Sequence, residues 1–144
     1  MTAPSEAARY SIQMLISDWL LIDGTMDNHV WSAVEQPGGD GAADPDIARR
    51  PEVARLGLSV RRAGWDQIAG WPHDLEGFTT WPAPGQTARM SLSGAQWSLV
   101  VLALRYWADV DERMSDVDGA ARSRGIATSV EQRLVSLGWS PATP

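Results

Sequence analysis

Residues 64–82, GWDQIAGWPHDLEGFTTWP, gather Trp65, Trp71, Trp81 and Phe78 around His73, Asp66, Asp74 and Glu76. His73, Asp74 and Glu76 are donor types that hold divalent cations. Their spacing is not that of a ligand pair carried on a helix or strand, so loop polarity accounts for them and no metal is expected. Asp74 is adjacent to His73 in sequence and badly placed to orient the ring without a turn. His29, the only other histidine, follows the segment DGTMDN. That segment fails the calcium-loop pattern, with glycine at its second position and Val34 where the twelfth requires glutamate.

Other chemistries are excluded by composition. The 144 residues include no cysteine and no lysine, which removes disulfides, thiolate catalysis, Schiff bases and P-loop phosphate binding. Hydrolysis by paired carboxylates needs two acids about 5 to 10 Å apart in a cleft. A chain that must also build a sheet and two helices has little left for one. The expectation is a non-enzymatic protein without a cofactor.

All 12 bases are arginine, against 18 acids, for a net charge of −6. This is the composition of a GC-rich coding sequence and points to a bacterium or its phage. The charges are also uneven. Residues 1–48 carry one arginine and eight acids, whereas residues 49–62 carry Arg49, Arg50, Arg55, Arg61 and Arg62 against Glu52 alone. Such a cluster on an acidic chain is expected to be solvated or to pair with the chain's own acidic half, and nucleic acid is disfavoured as a partner. The N-terminus lacks the basic start and apolar run of a secretion signal, and no apolar run is long enough to span a bilayer. A cytoplasmic protein without membrane association is expected.

The elements that must position these groups read as follows. Residues 10–16 alternate, with Tyr10, Ile12, Met14 and Ile16 on one side, and predict a strand continuing to Ile22. Asp23-Gly24 reads as a tight turn, with residues 29–35 as the returning strand of a hairpin. Residues 36–45 read as a flexible loop. Short turns led by Pro45 and Pro51 and a strand through Leu58 and Val60 are expected next. Breakers forbid a long helix in 64–85, where a strand at 78–81 fits, and Thr87–Leu92 alternates as a further strand.

From Ser93 the pattern is helical. Ser93 and Gln96 form a capping box, and Trp97, Val100, Val101, Leu104, Trp107 and Ala108 form one apolar stripe of a helix over 94–114. Ser115 or Asp116 can cap a second helix, which Gly138 closes in a left-handed conformation, with Trp139 folding back onto Leu134. Gly119 and Gly125 suggest close approach to the first helix. One α+β domain over 1–144 follows: a small antiparallel sheet within a mainly β and loop region, 10–92, packed on an antiparallel helical hairpin, 93–139, with a short tail, 140–144.

Eight tryptophans against one phenylalanine are the chain's main oddity. An indole N–H needs a partner when buried, so Trp suits boundaries better than a dry core. Trp97, Trp107 and Trp139 are assigned to the helical hairpin, and Trp19 and Trp31 to the first β-hairpin. Trp65, Trp71 and Trp81 then anchor an irregular segment, and exposed rings among them serve as binding anchors, since Trp and Arg dominate hot spots. The site residues expected are Trp65, Trp71, Trp81, His73, Arg61 and Arg62. The partner is expected to be another protein, or the chain itself, for an inhibitor, immunity or accessory factor; a virion component is indistinguishable from these by sequence. The alternative is a small-molecule binder, with the three tryptophans stacking on a nucleotide, sugar or signalling metabolite.

Overall fold

The structure, a computed structural model, describes residues 8–35 and 45–140, of which 34, 35 and 45–50 by backbone alone. The expected loop at 36–44 and the tail at 141–144 lie outside the described residues, as do the side chains of Arg49 and Arg50. Six main elements follow one another: β1 (Arg9–Leu15), α1 (Ile16–Glu35), α2 (Pro45–Gln67), β2 (Thr87–Ser93), α3 (Gly94–Arg113) and α4 (Val117–Ser136), with a 3-10 turn at Glu76–Thr79.

The architecture is α+β, a two-stranded antiparallel sheet packed with helices. β1 and β2 pair with Tyr10 opposite Leu92, Ile12 opposite Met90 and Met14 opposite Ala88. Both strands alternate as their sequences dictate, so Ile12, Met14, Met90 and Leu92 are buried on one face. The other face is polar, with Arg9 Nε donating to Ser91 Oγ at 3.2 Å and Gln13 Nε2 to Thr87 Oγ1 at 3.1 Å.

The C-terminal hairpin forms as its caps predict. Ser93 Oγ accepts from the Gln96 N–H while Gln96 Oε1 accepts from the Ser93 N–H, closing the capping box of α3. Asp116 Oδ1 accepts from the Gly119 N–H at the start of α4. Gly138 ends the helix at φ +95°, and the Trp139 N–H returns to the Leu134 carbonyl at 3.0 Å. Arg105 and Glu131 join α3 to α4 through two hydrogen bonds of 3.1 and 3.0 Å.

The glycines of α4 do not mediate that packing. A β-carbon on Gly119 would strike the carboxylate of Asp116, and Gly125 faces open space. Gly119 therefore makes room for the cap, and the expected close approach to α3 is not found.

The expected β-hairpin at 10–35 is also not found. After Leu15 the chain turns into α1, so the strand does not reach Ile22 and Asp23-Gly24 lies mid-helix. The reason is the spacing of the residues that become buried. Ile16, Trp19, Ile22 and Met26 recur at three and four residues, so one helical face buries all four. A glycine inside a helix costs about 1 kcal/mol relative to alanine, which burial of that face exceeds.

Likewise the Pro-led turns and the strand through Val60 are a single helix, α2, with Pro51 near its start. The region 10–92 is thus helical over 16–35 and 45–67 rather than mainly β. α1 and α2 run antiparallel: Asp23 and Asp27 meet Arg61, Val30 meets Gly57, and Trp19 meets Gly64. Residues 78–81 do not form a strand; Phe78 and Thr79 close the 3-10 turn. Among the described residues, no helix is long and apolar enough to cross a membrane.

Candidate functional site

Burial along α2 defines two sides. Ala54, Gly57, Val60 and Gly64 are buried, whereas Arg55, Leu58, Arg62 and Trp65 are exposed. The exposed four recur at three, four and three residues, so they form one ridge along the helix. Leu58 retains 42% of its accessible surface and Trp65 45%, large values for apolar side chains ordered on a helix. On the expected strand Leu58 and Val60 would share an inward face. In the helix the two point to opposite sides.

Arg61 supports this ridge from below. Its guanidinium lies 5.0 Å from the centroid of the Trp65 ring. It also pairs with α1, Nε at 3.1 Å from Asp23 Oδ1 and Nη1 at 2.8 Å from Asp27 Oδ1. The basic cluster therefore does pair in part with the chain's own acidic half, through Arg61. Arg55 and Arg62 form no ion pair among the described residues. The ridge thus presents two cations that have no ion pair among the described residues, beside two exposed apolar side chains, one of them an indole fixed by a cation–π contact.

The other loop aromatics form a separate cluster. Trp71 and Trp81 lie 5.1 Å apart between ring centroids, and Phe78 closes on them at 6.4 and 5.9 Å. Trp71 Nε1 donates to the Gly64 carbonyl at 3.2 Å, tying the loop to the end of α2. Trp71 and Trp81 are half-buried, and among the described residues no ring contact joins them to Trp65. Their faces are spent largely on each other.

His73 is exposed, and Asp74 Oδ1 accepts from the Gly77 N–H at 3.0 Å, closing a turn. Among the described residues no three His, Asp or Glu side chains converge as a metal-binding group. Trp65, Arg61 and Arg62 are brought to one place on α2, while Trp71 and Trp81 make a second cluster and His73 joins neither.

The remaining tryptophans illustrate the need for an indole partner. Trp97 Nε1 donates to the Tyr10 carbonyl at 2.9 Å, and Trp139 Nε1 to the Gly94 carbonyl at 3.4 Å. Trp107 Nε1 donates to His29 Nδ1 at 3.2 Å, which requires a neutral imidazole with its proton on Nε2. Burial pushes the His29 pKa down in agreement with that. Trp19 is fully buried and its Nε1 has no partner among the described residues, while Trp31 on α1 is 63% exposed. The two do not pair across a hairpin, since both stand on one helix.

Sequence reasoning missed Leu58 and Trp31 as surface residues, and it placed Arg55 in the basic cluster but not among the site residues. A signal was present in the spacing of 55, 58, 62 and 65, which fits a helix. The prolines and the short alternation at 58–62 competed with it. Comparisons with protein-family models, curated proteins and solved structures find no match to this chain.

Proposed function

We propose that the chain acts without catalysis, by binding another protein through the ridge Arg55, Leu58, Arg62 and Trp65. The observation that carries this reading is the exposed indole of Trp65, held by Arg61 and flanked by Arg62, which has no ion pair among the described residues. Such an anchor loses little side-chain freedom on binding, because Arg61 has already fixed it. Tryptophan and arginine at the centre of a contact are also the residues whose truncation costs most. Arg55 and Arg62 on a chain of net charge −6 favour a partner that is acidic at the contact. An inhibitor, immunity or accessory factor works in this way, as does a protein that binds its own copies.

A photo-crosslinking amino acid at position 58, introduced into the chain in its native host, tests the reading. One discrete adduct is expected, and the purified pair should bind about 30-fold more weakly with Trp65→Ala, a loss of about 2 kcal/mol. Arg62→Glu should slow association and weaken its salt dependence. An adduct whose affinity is unchanged by both substitutions would remove the ridge as the contact.

A further inference from the structure

The two outer edges of the β1–β2 ribbon are treated differently. On β2 the Ser91 N–H donates to Gln67 Oε1 at 2.7 Å, and Gln67 Nε2 donates to the Ser91 carbonyl at 2.9 Å. One side-chain amide from α2 therefore occupies the place of a third strand's peptide group. Because Ser91 turns its backbone groups away from β1, its partner Ser11 must turn its own away from β2. The same holds two residues on at Gln13, whose carbonyl accepts from Arg133 on α4. Among the described residues no hydrogen bond reaches the Ser11 N–H, the Ser11 carbonyl or the Gln13 N–H. This edge is capped at one point and open beside it.

A cleft of about 100 Å³ adjoins the open edge, between β1 and α4. Met14, Ile126 and Val130 give it apolar walls, and Ser129, Asp18 and Arg133 give it a polar rim. Benzene needs a cavity of about 150 Å³, so this one suits a single branched aliphatic side chain. Arg133 stands at the rim with no carboxylate partner among the described residues, whereas Asp18 faces Arg122 at 4.0 Å. Strand addition supplies this combination of partners: backbone groups at a two-residue repeat, with alternate side chains entering pockets.

We propose that the outer edge of β1 accepts an extended segment of another protein as a third strand, its amide groups on Ser11 and Gln13, an aliphatic side chain in the cleft and an acidic residue at Arg133. Self-pairing of two β1 strands about Ser11 is disfavoured, because each Arg9 would arrive at the other copy's Gln13, where Arg133 is already seated. The surface is separate from the α2 ridge and either can fail alone.

The probe is a synthetic heptapeptide alternating valine or isoleucine with threonine and carrying glutamate at both ends, added to the full chain at about 1 mM, about ten times a Kd of about 0.1 mM. Amide exchange at Ser11 and Gln13 should slow at least tenfold, with Arg55 to Trp65 unaffected. The same peptide N-methylated at alternate amides should give no protection in the register that blocks pairing. Ser11→Pro removes an outward N–H and leaves the β1–β2 ladder intact, so it should abolish the effect while circular dichroism stays unchanged. Absence of protection at Ser11, or equal protection by both N-methylated registers, overturns the proposal. Protection that appears without peptide and grows with protein concentration overturns it in favour of self-pairing.

Discussion

Gly64 on α2 lies directly beneath the buried indole of Trp19 on α1, so close that a β-carbon at position 64 would collide with Nε1, Cε2 and Cζ2 of that ring. The crossing of the two helices is set there. Trp19 cannot retreat, being fully buried among the core residues. Gly64→Ala should therefore destabilise by about 1 to 3 kcal/mol as an overpacked contact, although alanine is the better helix former by about 1 kcal/mol. Chemical denaturation checks this; a stabilised Gly64→Ala chain would mean that the helices are not seated as described.

Arg61 holds two carboxylates, and they should not count equally. The Asp23 side chain is 15% exposed and that of Asp27 62%. Removing Arg61 leaves Asp23 largely desolvated with no cation beside it, a loss of about 1 to 3 kcal/mol. The Asp27 pair is screened by water and contributes at most about 1 kcal/mol. Double-mutant cycles on urea midpoints should give the larger coupling for Arg61 with Asp23, and Arg61→Ala should also raise the quenchability of Trp65 fluorescence.

His29 makes stability pH-dependent. Its pKa in the folded chain is below the usual value near 6.5, because burial disfavours the imidazolium and the Trp107 N–H already occupies Nδ1. The unfolded chain therefore takes up the proton first, and stability is full above about pH 6.5 and declines as pH falls toward the folded value. His29→Phe should remove this decline below about pH 6.5. Glu131, drawn below its ordinary range by Arg105, acts in the same direction at lower pH, so the two steps separate. Urea denaturation across pH, with the Trp107 indole proton followed by NMR, distinguishes them.

Gln67 closes the edge of β2, and its replacement should open it. Gln67→Leu leaves the Ser91 N–H without a protein partner, while the Ser91 carbonyl keeps Arg9 Nη2 at 2.7 Å, so the loss should be about 1 to 2 kcal/mol. Gln67→Glu keeps the acceptor for the Ser91 N–H and loses only the donor, so it should cost less. Faster amide exchange at Ser91, with Leu92 and Met90 protected, is the expected pattern; general loss of protection would show that Gln67 supports more than this edge.

How far the sequence reaches differs between the two halves of the chain. The capping box at Ser93 and Gln96, the Asp116 cap and the left-handed Gly138 are local devices, satisfied by residues no more than five apart. They could be read directly, and α3 and α4 begin and end where they require. β1 and β2 were legible for a similar reason, because each buries one face and alternates strictly. Arg61, Arg62 and Trp65 were singled out by type, but their common place on a helix was not visible.

Residue type and near neighbours suffice for the alternating segments that become β1 and β2, for the C-terminal hairpin and for the exclusion of cysteine and lysine chemistry; the pairing of β1 with β2 rather than with residues 29–35 is a long-range outcome. Only the tertiary structure decided α1 and α2. Asp23-Gly24 and Pro51 favour turns locally, and a few kcal/mol at most separate those turns from a helix. Burying Trp19, Ile22 and Met26 against Val60 and Gly64 outweighs that difference, and it is available only when residues about forty apart in sequence meet. The same meeting sets Arg61 between Asp23, Asp27 and Trp65, and so decides which side of α2 faces outward.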